Sequence, residues 1–324
     1  MGENRFPLFL CVGAYTSLGG MRMMKRIVTW DSPMTSMRQK WFSEQLQAIC
    51  PWLECETLTW TAGGREVEAL RLGRGDRTVL LTGGHHANES ITGLLLWRFL
   101  EDYCRGLLKN GKLHGFCCRG LFRRSTLYLV PLVNPDGADL TAGAAAEEEI
   151  RQARNLWARQ PELPFPQGWK ANLQGVDLNL NYPARWETAK AIKPTEPGPR
   201  DFPGWQPLDQ PETEALAEFT RRICPDVMGT WHTQGGEIYA ADHTGRLRAE
   251  KLSRMMERVS GYTLTDPPPE SSNAGFRDWF LQELSGAAFT IEAGRGTNPL
   301  PLSDLPRLYE ENLPLFTLLL AHNS

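Results

Sequence analysis

A chain of 324 residues with a formal net charge of −3 and a pI of about 6.1 is long enough to bury a large core and has no basic excess, which excludes a broad cationic surface for nucleic acid or anionic lipid. Its seven cysteines are odd in number, include the adjacent pair Cys117-Cys118 and show no Cys-x-x-Cys spacing, so they fit reduced thiols better than a disulfide framework or a thiolate zinc site.

Those thiols point to a reducing compartment, and the expected location is cytoplasmic. Secretion is the alternative, because residues 6–15 form an apolar run after Arg5 in which Val12-Gly13-Ala14 resembles a signal-peptidase site. The run is too short to span a membrane. Met21, Met23 and Met24 offer later starts, so residues 1–35 are read as an N-terminal extension, either a leader or a mis-assigned start, and residues 36–324 as a single domain. Residues 36–50 then carry Trp41, Phe42, Leu46 and Ile49 at helical spacing. Residues 56–60 and 66–72 read as a hairpin around Gly63-Gly64, feeding a strand that ends in Leu80-Leu81-Thr82-Gly83-Gly84-His85-His86-Ala87-Asn88-Glu89. After the glycines, two histidines and a glutamate open a helix with the apolar face Ile91, Leu94, Leu95 and Phe99. Ligands of open α/β sheets collect beyond the carboxyl ends of strands, and His86 with Glu89, three apart, could hold one ion there. Such a pair alone is weak: six histidines and thirty-eight acidic residues give it roughly even odds by chance.

Further along, residues 125–132 form a second aliphatic strand, closed by Asn134-Pro135-Asp136-Gly137 as a tight turn, and residues 144–160 look helical. In Gly175-Val176-Asp177-Leu178-Asn179-Leu180-Asn181, an extended backbone would put Asp177, Asn179 and Asn181 on one side, since side chains two apart share a face. Six prolines from Pro194 to Pro211 break any regular element, leaving either a solvated connector or a rim over a binding cleft. Residues 211–222 return to helix with Glu212 and Glu214 in the first turn, where the dipole favours them. Residues 226–231 form a strand ending at His232-Thr233-Gln234-Gly235-Gly236. A charged helix over 246–259, a proline breaker over 267–269 and a short helix over 275–284 carrying Asp278 and Trp279 follow. Residues 288–292 are a strand ending in Glu292 before Gly294-Arg295-Gly296, and a last helix from Ser303 lines up Leu305, Leu308, Leu313, Phe316 and Leu320. This alternation is that of an α/β fold.

Four polar clusters are therefore expected at strand ends: His86 with Glu89, Asp177 with Asn179, His232, and Glu292. In an alternating fold they describe a single crevice. His-x-x-Glu with a distant histidine is the two-histidine, one-glutamate set of a catalytic zinc, which leaves a coordination position open for water. Taken in order, Gly84-His85-His86-Ala87-Asn88-Glu89, Asn134-Pro135-Asp136-Gly137, Trp169-Lys170-Ala171-Asn172, Gly175 through Tyr182-Pro183, His232-Thr233-Gln234-Gly235-Gly236-Glu237 and Thr290-Ile291-Glu292-Ala293-Gly294 resemble a zinc carboxypeptidase of the M14 (carboxypeptidase A-like) family. The resemblance covers roughly residues 40–320 and is strongest to the branch containing γ-D-glutamyl-L-diamino acid peptidases.

The resemblance implies a three-layer α/β/α fold around a mixed, twisted sheet, with one zinc ion (Zn2+) per chain held by His86, Glu89 and His232. It implies Glu292 as the general base toward a zinc-activated water and then as the acid toward the leaving amine. Asp177 becomes the carboxylate that orients a ligand histidine through its other ring N–H, or else a loop residue capping a turn. His85 is read as structural, its side chain pointing away from the site if the backbone is still extended there. Lys170 falls where many bacterial relatives have an arginine that donates to the oxyanion. A lysine there cannot form the two-pronged bond, and Arg154 is the fallback; either could instead be a solvated surface charge. At Asn179 and Leu180 the digestive carboxypeptidases resemble Asn-Arg, a pair that clamps a terminal carboxylate, so Leu180 argues against ordinary C-terminal trimming. Arg277, within Ala274-Gly275-Phe276-Arg277-Asp278-Trp279, falls on the position that sets side-chain preference. A cation there favours an anionic leaving residue, and meso-diaminopimelate with its second carboxylate would satisfy it. The family's pocket tyrosine has no clear counterpart, Tyr262 being nearest. The expected function is hydrolysis of the γ-D-glutamyl–diamino acid amide bond of muropeptides. The alternatives are an M14-type hydrolase for another acidic amino acid and a non-catalytic, zinc-stabilised binding module. The expected partner is a muropeptide or peptide substrate, with no nucleic acid, no membrane and no obligate protein partner.

Overall fold

Buried aliphatic runs dictate the centre of the molecule, which a computed structural model describes over residues 25–242, 247–269 and 272–322; the leader reading of residues 6–15 and the alternative starts lie outside them. The strands are β1 (Glu54–Trp60), β2 (Glu66–Gly73), β3 (Arg77–Gly83), the short pair β4 (Lys112–Leu113) and β5 (Phe116–Cys117), β6 (Ser125–Val130), β7 (Val227–His232), β8 (Glu237–Asp242), β9 (Thr263–Leu264) and β10 (Ala287–Glu292). The helices are α1 (Ser36–Ile49), α2 (Ile91–Leu108), α3 (Cys118–Arg124), α4 (Pro135–Thr141), α5 (Glu147–Trp157), α6 (Trp186–Ile192), α7 (Pro211–Ile223), α8 (Leu247–Ser260), α9 (Phe276–Glu283) and α10 (Leu305–Ala321). Eight strands form one mixed sheet in the order β1-β2-β6-β3-β7-β10-β8-β9.

Four central neighbours, β6, β3, β7 and β10, run parallel, so their carboxyl ends share one edge of the sheet. Every residue of β7 is buried, as expected where helices cover both faces of a parallel strand. Side chains alternate between the two layers. Val79, Leu81, Val227, Trp231, Phe289 and Ile291 face the cluster built by α1, α2, α8 and α10. Leu80, Met228 and Ala288 face the opposite one, with Leu216 and Phe219 of α7 and Phe276, Trp279 and Phe280 of α9. This is the expected α/β/α layering around a mixed sheet. Among the described residues no helix is long and apolar enough to cross a membrane.

Two local readings change. Asn134-Pro135-Asp136-Gly137 opens α4 rather than closing a turn: Pro135 sits in the first turn, where its missing N–H costs nothing, and Asn134 caps the helix by accepting from the Gly137 N–H at 2.9 Å. Asp177, Asn179 and Asn181 do not share a face, because the Asp177 carboxylate accepts from the Asn179 N–H at 3.1 Å and winds Leu178–Leu180 into a short 3-10 turn. Asn181 is thereby turned into the core, where it meets Asp209 at 2.9 Å. The described part of the 1–35 stretch packs against the domain. Val28 and Met34 are fully buried, and the N–H groups of Ile27 and Val28 both donate to the Glu101 carboxylate at 2.9 Å.

Candidate active site

The site is assembled by strand ends. Beyond β3, Gly84 adopts φ +63°, and a Cβ there would come within 2.7 Å of Leu132, so glycine lets the chain turn out of the sheet toward His86 and the short 3-10 turn Ala87–Glu89. His232 is the last residue of β7 and Glu292 the last of β10, and the parallel register pairs these two directly. The segment after Trp169 is laid across the same edge by backbone bonds from the Ala87 N–H to the Lys170 carbonyl at 3.0 Å and from Asn88 to Trp169 at 3.1 Å.

His86, Glu89 and His232 converge, offering three ligand atoms within 4.8 Å of one another. His86 Nδ1 lies 3.1 Å from Glu89 Oε1, His232 Nδ1 lies 3.1 Å from Glu89 Oε2, and the two Nδ1 atoms are 3.3 Å apart. Glu89 is aimed by the Thr233 N–H at 3.2 Å and by the Asn298 amide at 3.1 Å. On the outer side of the ring, His86 Nε2 lies 3.2 Å from Asp177 Oδ1, which makes Nε2 the protonated nitrogen and leaves the Nδ1 lone pair facing inward. Two imidazole nitrogens and one carboxylate oxygen in a buried cluster are the donor set of a catalytic zinc, so these residues fit the metal. Charge agrees with that fit. Burial opposes a proton on His86, yet Glu89 and Asp177 outweigh it and push its pKa up to about 9, so the cluster favours added positive charge. Burial holds the pKa of His232 low, against the pull of its hydrogen bond to Glu89. Burial also works against charge on Glu89, but His86 and Lys170 keep it a carboxylate.

A cavity of about 500 Å³ opens over this cluster and is lined by Lys170, Asn179, Arg200, Tyr239, Arg277 and Glu292 among others. Lys170 Nζ lies 3.6 Å from Glu89 Oε1; burial disfavours its charge, but Glu89 and Asp177 retain it. Burial and the neighbouring Glu89 push Glu292 up to about 8. Asn179 Oδ1 accepts from the Phe276 N–H at 3.2 Å, tying the 3-10 turn to the start of α9, and Arg277 projects from that start beside Asp278 at 3.2 Å. Leu180 is buried. His85 is fully buried behind the cluster, its ring stacked on His232 at 5.6 Å and its Nε2 3.4 Å from the Tyr182 hydroxyl.

Two candidates are not brought here. Arg154 sits on the exposed side of α5 with its guanidinium 4.5 Å from the centre of the Phe165 ring, a cation–π contact that holds it away from the cavity. Tyr262 is buried elsewhere: its hydroxyl donates to Glu311 at 2.8 Å and accepts from Asn312 at 2.8 Å. The cavity's tyrosine is instead Tyr239 on β8, whose hydroxyl donates to Glu237 at 2.6 Å. Tyr239 and Arg200 lie outside any motif. A tyrosine in the middle of a strand and an arginine among prolines look like ordinary packing and ordinary solvation, although the rim alternative for the proline-rich stretch covered Arg200.

A profile of the zinc carboxypeptidase family, the M14 peptidases, matches residues 40–314. The chain belongs to that family. The γ-D-glutamyl-L-diamino acid endopeptidase 1 of Lysinibacillus sphaericus is 36% identical to this M14 peptidase over 277 residues, covering 84% of this chain and 68% of that one. Bovine thrombin-activatable fibrinolysis inhibitor, solved in complex with tick carboxypeptidase inhibitor, shares the fold with a TM-score of 0.66 at 18% identity, over 90% of this chain and 98% of the other. The murein-tripeptide amidase of Escherichia coli O157 shares it with a TM-score of 0.53 at 19% identity, over 83% and 93%. This M14 family member is a zinc metallopeptidase with the carboxypeptidase fold, and its similarity in sequence supports the γ-D-glutamyl-diamino acid branch.

Proposed function

We propose that this zinc peptidase hydrolyses the amide bond between a γ-linked D-glutamyl residue and meso-diaminopimelate in muropeptides, using one zinc ion held by His86, Glu89 and His232. The observation that carries the reading is the Arg277 guanidinium lining the cavity above the ligand cluster, together with an apolar Leu180 where a carboxylate-clamping arginine would stand. A leaving residue whose side chain ends in a carboxylate finds a cation at Arg277, whereas the main-chain carboxylate of an ordinary peptide loses its clamp. The 36% identity to a protein named for the γ-D-glutamyl-diamino acid bond supports the same substrate. We also read residues 36–324 as one domain, supported by the single large sheet, and a reducing, cytoplasmic setting, supported by the unpaired thiols of the described cysteines.

Bound zinc supplies Lewis acidity, lowering the pKa of water toward about 7 and polarising an amide carbonyl. Glu292, beside His232 across the β7–β10 ladder, takes the proton of the attacking water as its oxygen adds to the carbonyl carbon. It returns that proton to the leaving nitrogen as the C–N bond breaks. Lys170 presents its ammonium to the charge growing on the carbonyl oxygen, acting as a point charge rather than a fork. Asp177 keeps the His86 Nδ1 lone pair directed inward, and Asn179 helps to hold the substrate against α9.

Mass spectrometry of tri- and tetrapeptide muropeptide digests tests this. Zinc-loaded protein is expected to release the diaminopimelate-bearing fragment, and Glu292→Gln to lower turnover by at least about 10²- to 10⁴-fold. Release of C-terminal Lys or Phe from ordinary peptides as fast as diaminopimelate from muropeptides would refute the substrate.

A further inference from the structure

Arg200 has no part in the chemistry above, yet it lines the same cavity as Lys170 and Arg277. It stands on the proline-rich stretch before α7, and its backbone is fixed on both sides. The Pro199 carbonyl just before it accepts from the N–H groups of Lys170 at 2.8 Å and Ala171 at 3.0 Å. Asp201 just after it takes φ +67° and gives its N–H to Asp177 Oδ2 at 3.4 Å, the same carboxylate whose other oxygen meets His86. Arg200 Nε donates to Asp201 at 3.1 Å, and among the described residues Asp201 is the one carboxylate in ion-pair contact with it. About a third of the side chain, 32%, stays exposed, and the residue lines the cavity.

The two arginines reach one cavity from different elements. Arg200 belongs to the wall bonded to Lys170 and, through it, to the turn after β3. Arg277 belongs to α9, which packs on β10 and β7 and whose start is tied to Asn179. Lys170 feels the charge of Arg200, and Tyr239 on β8 feels that of Arg277. Two guanidinium groups therefore line the cavity that holds the ligand cluster and Glu292. A substrate complementary to both carries two anions, and with Arg277 assigned to the leaving residue the second falls on the acyl side of the bond to be cut. An amide formed through a glutamyl side chain meets the requirement, because it keeps its α-carboxylate free on the acyl side; an amide formed through the main chain has a carboxylate there only where the acyl side chain is itself acidic, and then at the end of that side chain.

We propose that Arg200 is a specificity-determining residue that pairs with the free α-carboxylate of the γ-linked acyl residue, selecting the linkage from the acyl side while Arg277 selects the leaving residue. This rests on the γ-glutamyl reading given above. The Nη edge of a guanidinium whose Nε is already engaged can still take a carboxylate end-on with two parallel bonds.

The test compares, on the zinc-loaded enzyme, L-Ala-γ-D-Glu-meso-diaminopimelate with its isoglutamine analogue, in which the α-carboxylate is a carboxamide of the same shape. Wild type is expected to prefer the carboxylate in kcat/KM by on the order of 10- to 100-fold. In Arg200→Gln the preference should collapse to about 3-fold or less, in Arg200→Lys it should be intermediate, and in Arg277→Gln it should persist although both rates fall. Because the ratio is taken within one preparation, loss of folded protein in a variant cancels. Equal hydrolysis of both substrates by wild type, or an Arg200→Gln enzyme that keeps the wild-type preference, overturns the assignment of Arg200 while leaving the γ-glutamyl function standing. Wild type that cleaves neither substrate overturns that function, and this inference with it, before any variant is compared.

Discussion

Glu212 is a fully buried carboxylic acid with one oxygen 3.4 Å from the Asn172 amide and, among the described residues, no hydrogen-bond partner for the other. Burial pushes its pKa up to about 7, and the charge of Asp136 adds to this; burial and Glu66 do the same to Glu68, also up to about 7. In the unfolded chain both ionise near the ordinary value, so between about pH 4.5 and pH 7 the native state binds more protons than the unfolded one and stability falls as pH rises. Above about pH 7 the loss is complete. Glu212→Gln should therefore raise stability at pH 8 by up to about 3 kcal/mol and change little at pH 4.5, read as urea midpoints at the two values. A pH slope identical to wild type would count against a buried, neutral Glu212. Asp177 makes the opposite case, since both of its oxygens accept, one from His86 and one from Asp201. Asp177→Asn turns one acceptor into a donor, and zinc affinity measured by chelator competition should fall by about 10- to 100-fold. At this scale the metal cluster was legible because a His-x-x-Glu pair, a second histidine and a later glutamate each end a strand-like run. Arg200 and Tyr239 were not, because neither a cation among prolines nor an aromatic within a strand differs in pattern from a packing or solvated residue.

Elements position the site through a few charged joints. Arg65, just before β2, reaches from the hairpin to α4 and α5, contacting Asp136 at 2.9 Å, Asp139 at 2.6 Å and Glu149 at 2.7 Å. The Thr61 hydroxyl and the Gly63 N–H reinforce this by donating to Asp136 at 2.7 and 2.9 Å. The Asp136 side chain is wholly buried, so Arg65→Met would leave carboxylates without their cation, at a cost of about 3–5 kcal/mol in a urea titration. A loss below about 1 kcal/mol would mean that the hairpin backbone bonds suffice. The same region shows why boundaries were harder to read than elements. Asn and Pro serve equally as turn residues and as the cap and first residue of a helix, and α4 is decided by tertiary burial of Ala138 and Leu140, which no local pattern reveals. Likewise the 3-10 turn at Leu178–Leu180 follows from one carboxylate bonding its own backbone, which overrides an alternation that reads as extended.

For the molecule as a whole, strand and helix periodicity carried the α/β reading, and the parallel run of β6, β3, β7 and β10 explains why residues far apart in the chain meet on one edge. Two large apolar layers enclose that sheet, and the candidate ligands His86, Glu89 and His232 stand at or just beyond its strand ends. Folding should accordingly survive without zinc, while stability is linked to it. A ligand present at about a thousand times its dissociation constant adds about 4 kcal/mol to the native state. Chelation is then expected to abolish hydrolysis, leave the far-ultraviolet dichroism in place and lower Tm by on the order of 5–10 °C, with all three reversed by added zinc. The argument turns on where the ions' donors sit: His86, Glu89 and His232 terminate strands or follow them, so losing the cation restores repulsion and desolvation at the sheet's edge without removing a packed side chain from its interior. A zinc-stabilised binding module predicts the reverse, with the dichroism collapsing on chelation and no amide cleaved by the holoprotein. Recording dichroism and muropeptide hydrolysis on one chelator titration separates the two.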